Sequence, residues 1–210
     1  MAHQVKIALK PRKIAIQARS VVTVESILEA TIQVLLGHGM EGLTTTRVAE
    51  RAGVSVGTLY QYYPNKQSLL FAVLESHFDN VSGAVEIACE NVRGKPLAEM
   101  VQHVVERFLD AKLERTDISL ALNRISADVG GPALVKRAGE RSMKAMESML
   151  KTAPNATSQP ETFSIQMMFS AMAGATRSVL EAGATPVLVR KLRTHLVLLC
   201  QSYVAAVARG

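Results

Sequence analysis

The segment GLTTTRVAERAGVSVGTLYQYYPNKQSLL, residues 42–70, contains the most informative spacing in this chain of 210 residues. Residues that begin helices alternate in it with residues that end them. These helix-starting and helix-ending residues are Thr44, Gly53, Ser55, Pro64 and Asn65. The spacing predicts a short helix within 43–53, a second one over 56–62 and a longer helix that starts at Asn65. Two short helices joined by a glycine-containing turn, after a supporting helix, form a candidate helix-turn-helix.

The second short helix is predicted to have one buried and one polar face. At about 100° per residue, Leu59 and Tyr63 share a face that, with Val54, points toward the first two helices. Gly57 and Gln61 lie on the opposite face, which carries no large apolar side chain. The flanking positions are Thr58 and Tyr60. A polar face of this kind fits the major groove of DNA, where base edges offer donors, acceptors and thymine methyl groups.

Each residue of this face suggests a specific contact. Gln61 can form a bidentate pair with adenine, and Thr58 offers a methyl group to thymine and a hydroxyl to a base or phosphate. Gly57 lets the helix backbone approach the duplex closely, and the Tyr60 hydroxyl reaches a backbone phosphate. Tyr62 lies between the two faces, so that both a place at the edge of the core and a phosphate contact stay open.

Two helix starts in this segment are candidate phosphate sites. Lys66 lies in the first turn of the longer helix that starts at Asn65. The helix dipole is positive at this end, so a cation there is unfavourable unless the free N–H groups of the same end hold a phosphate. The threonine run of Thr44, Thr45 and Thr46 begins the first short helix with hydroxyl and N–H groups. A simple helix cap is the alternative for that run.

The segment resembles the DNA-binding segment of TetR/AcrR-type transcriptional regulators, and the resemblance covers about the first 80 residues from Val21. It rests on the Gly-x-Ser turn, a Leu-Tyr pair, an aromatic residue before Pro-Asn-Lys and a following leucine pair. These positions are Gly53, Ser55, Leu59, Tyr60, Tyr63, Pro64, Asn65, Lys66, Leu69 and Leu70. Two positions depart from the family pattern. Arg47 replaces the usual acidic residue of the helix within 43–53, and Met40 replaces the usual aromatic residue after the Gly-x-Gly turn.

The resemblance implies a homodimer that inserts one recognition helix per subunit into successive major grooves of a near-palindromic operator in double-stranded DNA. It implies phosphate contacts at Thr44 or Thr45, Tyr60 and Lys66. Base contacts are implied at Val56, Gly57, Thr58, Gln61 and Tyr62. The departure at Arg47 adds a positive charge close to the DNA side. Family members usually repress transcription and release DNA when a small-molecule effector binds the C-terminal domain.

The rest of the chain has helical periodicity but no motif of comparable strength. The predicted helices are 23–39, 43–53, 56–62, 65–92, 96–114, 117–128, 132–152, 160–182 and 186–208. The chain is therefore predicted to be all-α with about nine helices, in an N-terminal helix-turn-helix domain and a larger C-terminal helical domain. The predicted divisions are a basic arm at 1–20, the helix-turn-helix domain at 21–66 and a ligand-binding and dimerisation domain at 67–210.

The last two predicted helices, 160–182 and 186–208, are apolar on more than one face and need cover on two sides. We favour a dimer in which a second subunit provides one cover, and a buried hairpin in a monomer is the alternative. An effector pocket is expected among the middle helices. Its candidate lining residues are Phe108, Asn123, Met143, Met146 and Phe169. Ordinary core packing is the alternative for each of them.

The composition is that of a globular chain, with 48% hydrophobic and 20% charged residues. The net charge of +6 is a weak indication of a polyanionic partner. Residues 1–19 carry five cations and no acid. They are Lys6, Lys10, Arg12, Lys13 and Arg19. This segment is either a solvated end or an arm that contacts phosphates or a minor groove.

Other classes of protein are less well supported. No apolar run of about 18 residues lacks a charge, so no membrane span is predicted, and no secretory signal is evident. Cys89 and Cys200 are expected to be buried and reduced, which fits the cytoplasm. An enzyme lacks support because we find no Ser-His-Asp spacing, phosphate loop or HExxH motif.

A metal site is not predicted, because His103 and His195 have no carboxylate or cysteine partners at ligand spacing. No cofactor is expected. A purely structural helical protein would leave the basic segment and the polar face unexplained. The leading hypothesis is a ligand-responsive, sequence-specific DNA-binding regulator that represses transcription.

Overall fold

The computed structural model describes residues 18–156, 158 and 161–209. Nine α-helices and one 3₁₀ turn account for the regular structure of these residues, which confirms the predicted all-α class. The helices are α1 (Ala18–Gly42), α2 (Thr45–Ala52), α3 (Val56–Tyr62), α4 (Lys66–Asn91), α5 (Leu97–Leu113), α6 (Thr116–Ile125), α7 (Gly131–Leu150), α8 (Thr162–Glu181) and α9 (Pro186–Val207), and the 3₁₀ turn is Ser126–Val129. Residues 1–17 of the predicted basic arm lie outside the described residues.

The described chain forms two compact units, and the divisions between them fall within α4, α6 and α7. Unit 1 contains the residues up to His77 together with Ala121–Leu134, and unit 2 contains Phe78–Leu120 and the residues from Val135 onward. The predicted domain boundary after Lys66 stays a prediction.

Unit 1 is built on α1 and α2, which pack against each other, with α3 packed on α2. Ile27, Leu43, Val48 and Leu59 are completely or almost completely buried. Their burial accounts for the pairing of these helices, because the short helices α2 and α3 owe most of their stability to packing of an apolar face. By length and composition alone, the part of α1 from Ser20 to Gly42 could also cross a membrane, a property that core helices share.

The helix α1 differs from the predicted one at both ends. The described part of this helix already includes Ala18–Val22, so it does not start after Thr23. None of these five residues breaks a helix, and a cap residue begins a helix only where the preceding chain leaves helical geometry. At the other end the helix passes through Gly37. Only Gly39 leaves helical geometry, with φ 65° and ψ −174°, before one more turn ends at Gly42.

The core of unit 2 is formed by apolar side chains of α4, α5, α7, α8 and α9. Charged side chains join helices at its edge. Arg141 of α7 donates to both carboxylate oxygens of Glu86 at 3.0 and 2.8 Å and to Asp79 at 2.8 Å, and Arg193 of α9 donates to Asp110 at 2.7 Å. The carboxylate partners raise the pKa of Arg141. These pairs fix α7 on α4 and α9 on α5.

The two thiols are free and buried, as predicted. Burial raises the pKa of Cys89 to about 12 and that of Cys200 to about 11. Neither thiol is therefore a thiolate at neutral pH, and both act as small apolar side chains of the unit 2 core.

Gly131, the first residue of α7, provides a test of the contact between the start of α7 and the 3₁₀ turn. A Cβ at this position would overlap the backbone carbonyl of Ser126 in the 3₁₀ turn. We expect Gly131→Ala to lower the free energy of unfolding by about 1–3 kcal/mol, because the backbone must shift. Gly83→Ala in α4 is the matched control, since no atom lies within 4 Å of its Cβ. The control should leave stability unchanged or raise it by up to about 1 kcal/mol. Equal melting temperatures for both variants would contradict the close contact between Gly131 and Ser126.

Candidate nucleic-acid interface

The caps predicted for the helix-turn-helix segment are all formed. The Thr44 hydroxyl accepts from the N–H of Arg47 at 3.2 Å, and the Ser55 hydroxyl accepts from the N–H of Thr58 at 3.0 Å. The Asn65 side chain accepts from a backbone N–H of the first turn of α4 at 2.8 Å. Gly53 ends α2 in the left-handed conformation, with φ 68° and ψ 30°. These local bonds set the turn from α2 into α3.

The two predicted faces of α3 are confirmed. Leu59 and Tyr63 are buried at 0% and 2% exposure, and Gly57 and Gln61 are exposed on the other side. Tyr60 is 42% exposed. Burial, together with the nearby charge of Glu75, raises the pKa of Tyr63 to about 12, so that this phenol stays neutral. Among the remaining candidates on α3, Val56 is 37% exposed and Thr58 is half-buried.

Tyr62 lies on the buried side of α3, with only 5% of its surface exposed. Of the two alternatives left open by the sequence, the structure therefore shows the position at the edge of the core. A base contact at Tyr62, which the resemblance implied, would require this side chain to leave its buried site. That contact stays a prediction, and the position of the side chain does not favour it.

The Tyr60 hydroxyl is held by a second helix. It lies 3.1 Å from the hydroxyl of Thr45, the first residue of α2. Thr44 and Thr46 are exposed beside it, and Thr45 is half-buried. The start of α2 and the middle of α3 thus present hydroxyl groups close together, an arrangement that can donate to the oxygens of one phosphate.

The two cationic candidates of this segment bond to the protein itself. Arg47 donates to the carbonyl of Gly42 at 2.7 Å, and Lys66 donates to the carbonyl of Met40 at 2.9 Å. Both carbonyls belong to the last turn of α1, which follows the break in helical geometry at Gly39, and the final carbonyl groups of a helix have no partner within it. The lysine in the first turn of α4 is thus explained without a phosphate, contrary to the reasoning from sequence. The phosphate contact at Lys66 and the contribution of Arg47 to DNA binding stay predictions.

A third cation of unit 1 was missed by sequence reasoning. Arg51 at the end of α2 donates to the side-chain oxygen of Gln33 in α1 at 2.6 Å, and Gln33 in turn donates to Glu29 at 3.0 Å. These side chains line an open groove of about 430 Å³ together with Glu25, Ser26, Ala30 and Ala52. No local spacing signals a bond between residues 18 positions apart on different helices.

The candidate effector residues are only partly brought together. Phe108 and Met146 are buried in the unit 2 core, and Met143 and Phe169 pack against that cluster. The Phe108 and Phe169 rings meet edge-to-face, with centroids 6.1 Å apart. Asn123 belongs instead to the part of α6 that clusters with unit 1. The close packing of the other four fits the alternative of core filling, and their role in binding an effector stays a prediction.

Sequence reasoning also missed Lys112 in unit 2. Its ammonium lies 5.2 Å from the centroid of the Phe78 ring, and burial lowers its pKa to about 8. The aromatic face partly compensates the lost hydration of the cation. Within the described residues, no group of three or more His, Cys, Asp or Glu side chains is placed to hold a metal ion.

Comparisons with known protein families match most of the chain. Residues 27–73 match the profile described as "Bacterial regulatory proteins, tetR family", and residues 96–203 match "Tetracyclin repressor-like, C-terminal domain". The HTH-type transcriptional repressor KstR of Rhodococcus jostii is 31% identical over 116 residues, which cover 54% of this chain and 53% of KstR. The match with KstR of Mycolicibacterium smegmatis is 30% identical and covers 60% of each chain. The chain thus matches little more than half the length of these relatives.

A solved structure extends the similarity of the fold to almost the whole chain. It is the crystal structure of a protein from Mesorhizobium loti described as a transcriptional regulator of the TetR family. It superposes with a TM-score of 0.73, at 18% identity, over 90% of this chain and 98% of its own. At this identity the likeness concerns the fold alone.

Gly57 offers a direct test of the exposed face of α3. A Cβ there would lie 3.7 Å from the Ser55 hydroxyl, an ordinary contact, so that Gly57→Ala fits the free protein. Alanine also favours the helix by about 1 kcal/mol, and folding should not suffer. We expect the affinity for a duplex selected from random sequences to fall about tenfold or more, because the methyl group keeps the helix from the groove.

The matched control is Gly37→Ala, at an exposed helical position of α1 with no atom within 4 Å of the new Cβ. It should leave DNA affinity unchanged. Wild-type affinity in Gly57→Ala, measured by fluorescence anisotropy, would show that α3 does not approach the duplex at this residue.

Proposed function

Because the chain belongs to the TetR family of bacterial transcriptional regulators, we propose that it is a cytoplasmic repressor that binds a near-palindromic operator as a homodimer and releases it when an effector binds unit 2. The observation that carries the proposal is the polar face of α3, presented by the burial of Leu59 and Tyr63 on the opposite side. The family is not an enzymatic one, and the proposed activity is binding alone.

Base reading is assigned to the centre of that face. Gln61 is exposed and long enough to pair with the donor and acceptor of adenine in the major groove. The hydroxyls of Thr58 and Ser55 lie 2.8 Å apart, so that the Thr58 hydroxyl already has a partner within the protein. The methyl group of Thr58 is therefore the part that we assign to thymine. Tyr60 is assigned to a phosphate, which carries no sequence information.

The proposed dimer uses the outward face of α8 and α9. Large apolar side chains are exposed there, at 65% for Phe163, 46% for Met167, 59% for Leu198 and 53% for Leu199. Beside them an apolar groove of about 240 Å³ is lined by Met167, Met168, Ala171, Leu199, Cys200 and Tyr203. Met167 and Leu199 are thus both exposed and in the groove, and exposed apolar side chains grouped in this way mark an interaction surface. A second copy of the same face would cover it, as in an isologous dimer.

The roles of Gln61 and Tyr60 separate in binding experiments. Gln61→Ala should cost about 1–3 kcal/mol of affinity and relax the preference for adenine at one position of each half-site. Tyr60→Phe should weaken all sequences about equally, because a phosphate contact is lost and the bond to Thr45 is broken. Binding to a library of randomised duplexes measures both effects. If neither variant changes affinity or sequence preference, α3 is not the recognition helix.

The dimer face is tested by Leu198→Glu. A carboxylate within a buried apolar interface is strongly unfavourable, so that sedimentation should show a monomer. Operator affinity should fall at least about tenfold, because the two half-sites no longer bind together. The matched control is Ile87→Glu in α4, whose side chain is 65% exposed outside that face. A dimeric Leu198→Glu variant, or loss of the dimer in the control, would refute this interface.

A further inference from the structure

A pair of hydroxyl groups at the start of α3 forms a bond that the helix cap does not need. The Ser55 hydroxyl oxygen accepts from the N–H of Thr58 at 3.0 Å, and this bond alone completes the cap. The same oxygen also lies 2.8 Å from the side-chain hydroxyl oxygen of Thr58. An alanine at position 58 would make the first bond and not the second. The second bond therefore constrains the Thr58 side chain and not the helix backbone.

This bond selects one orientation of the Thr58 side chain. The hydroxyl and the methyl group of threonine are attached to the same Cβ, so that a fixed hydroxyl also fixes the methyl group. Threonine in a helix otherwise divides between two χ1 rotamers, because its hydroxyl can bond to a carbonyl of the preceding turn. A change of rotamer would move the Thr58 hydroxyl away from Ser55 and break the bond. The methyl group of Thr58 is thus held in one direction.

Packing in the core constrains Thr58 much less than its neighbour Leu59. Thr58 is half-buried, whereas Leu59 is 0% exposed. Ser55 and Gly57 are both exposed. Apart from its chain neighbours and its own helix backbone, a Cβ at Gly57 would meet only the Ser55 hydroxyl within 4 Å, at 3.7 Å. The hydroxyl pair therefore borders the open polar face of α3, and the hydrogen bond to Ser55 is what orients Thr58 there.

The orientation matters because the two groups of a threonine side chain read different bases. Thymine is distinguished in the major groove by its C5 methyl group, which an apolar group of the protein contacts. A serine or threonine hydroxyl can bond to several bases and separates them poorly. A threonine that rotates freely presents either group to the same base pair. A threonine whose hydroxyl is held by Ser55 presents its methyl group, and it can then select thymine.

We propose that Ser55 is a positioning residue for base recognition. Its hydroxyl holds the Thr58 hydroxyl and directs the Thr58 methyl group toward the C5 methyl group of one thymine in each half-site. This inference rests on the proposed function, because it requires α3 to lie in a major groove. It adds a residue that sets the sequence preference without contacting a base, and it gives the hydroxyl pair a role beyond helix capping.

The test measures how much a single methyl group of the DNA contributes to binding. Each thymine of a duplex selected from random sequences is replaced in turn, in both half-sites, by deoxyuridine, which lacks only the C5 methyl group. For the wild type we expect replacement at one position to weaken binding about fourfold per half-site, the effect of burying one methyl group. Thr58→Ser keeps the hydroxyl and loses the methyl group, so that its affinity should no longer depend on this replacement.

Ser55→Gly removes the positioning hydroxyl, and glycine is well tolerated at a helix cap. In this variant the effect of deoxyuridine should fall below about twofold per half-site, because the Thr58 side chain can rotate. Ser55→Thr retains a hydroxyl at the cap and should keep the wild-type effect.

Thr58→Val provides the matched background for Ser55→Gly. Valine has no hydroxyl for Ser55 to hold, and its own branching confines it to one rotamer in a helix. Adding Ser55→Gly to Thr58→Val should therefore leave the deoxyuridine effect of Thr58→Val unchanged. A weaker cap alone would lower the affinity of both backgrounds alike.

A second measurement follows the orientation of Thr58 without DNA. Three-bond NMR couplings to the Thr58 methyl carbon should report one rotamer in the free wild type and an average of rotamers in Ser55→Gly. Averaged couplings in the wild type overturn the inference.

The binding results separate this inference from the proposed function. A loss of affinity in Ser55→Gly that is equal for thymine and deoxyuridine duplexes means that Ser55 only caps α3 or binds a phosphate, and it overturns the inference. If the wild type selects no sequence at all, the proposed function fails and this inference fails with it. If the wild type selects a sequence but shows no effect of deoxyuridine, or keeps the full effect in Ser55→Gly, only this inference fails.

Discussion

The arrangement of the helix-turn-helix depends on how the last turn of α1 is satisfied. The final carbonyl groups of a helix have no partner within it, and here two of them accept from cations of other helices. Arg47 of α2 bonds to Gly42, and Lys66 of α4 bonds to Met40. One helix end thus fixes the starts of two others, and α3 is the short segment that connects them.

Because α3 has only seven residues, it cannot be stable by itself. Its geometry comes from the cap at Ser55, the stop before Pro64 and the burial of Leu59, Tyr62 and Tyr63. The same three buried residues decide which side of α3 remains exposed. The polar face is therefore a consequence of packing. A substitution at Leu59 or Tyr63 is therefore expected to alter the DNA sequence preference, although neither residue is proposed to contact DNA.

The sequence predicted the features that short-range chemistry controls. Thr44, Ser55 and Asn65 cap the helices as expected, and Gly53 adopts the left-handed conformation that its position required. The helical wheel of α3 also separated its two faces correctly, since about 100° per residue holds even in a short helix. These signals lie within a few residues of the structure they determine.

Features set by distant residues could not be predicted in this way. The partner of Lys66 lies 26 residues away, and a dipole argument alone pointed to a phosphate. Tyr62 could be placed only to the boundary of the core, because its burial depends on which helices cover it. Asn123 was grouped with Phe108, although α6 contributes to both units and Asn123 lies in the part that clusters with unit 1. The start of α1 predicted at Thr23 was wrong, because a good cap residue does not stop a helix that already passes through the residues before it.

The free energy needed for specific DNA binding relates the proposed role of α3 in unit 1 to that of α8 and α9 in unit 2. In the proposed recognition, one short helix with Gln61 and Thr58 at its centre would read only a few base pairs, each worth about 1–3 kcal/mol of discrimination. Specific regulators exceed their own nonspecific binding by about 4–10 kcal/mol, and a second copy of α3 doubles what one copy supplies. The apolar side chains exposed on α8 and α9 would be a liability on a monomer. In the proposed dimer they hold two copies of α3 to one operator, and the specificity of α3 would then depend on a surface that does not contact DNA.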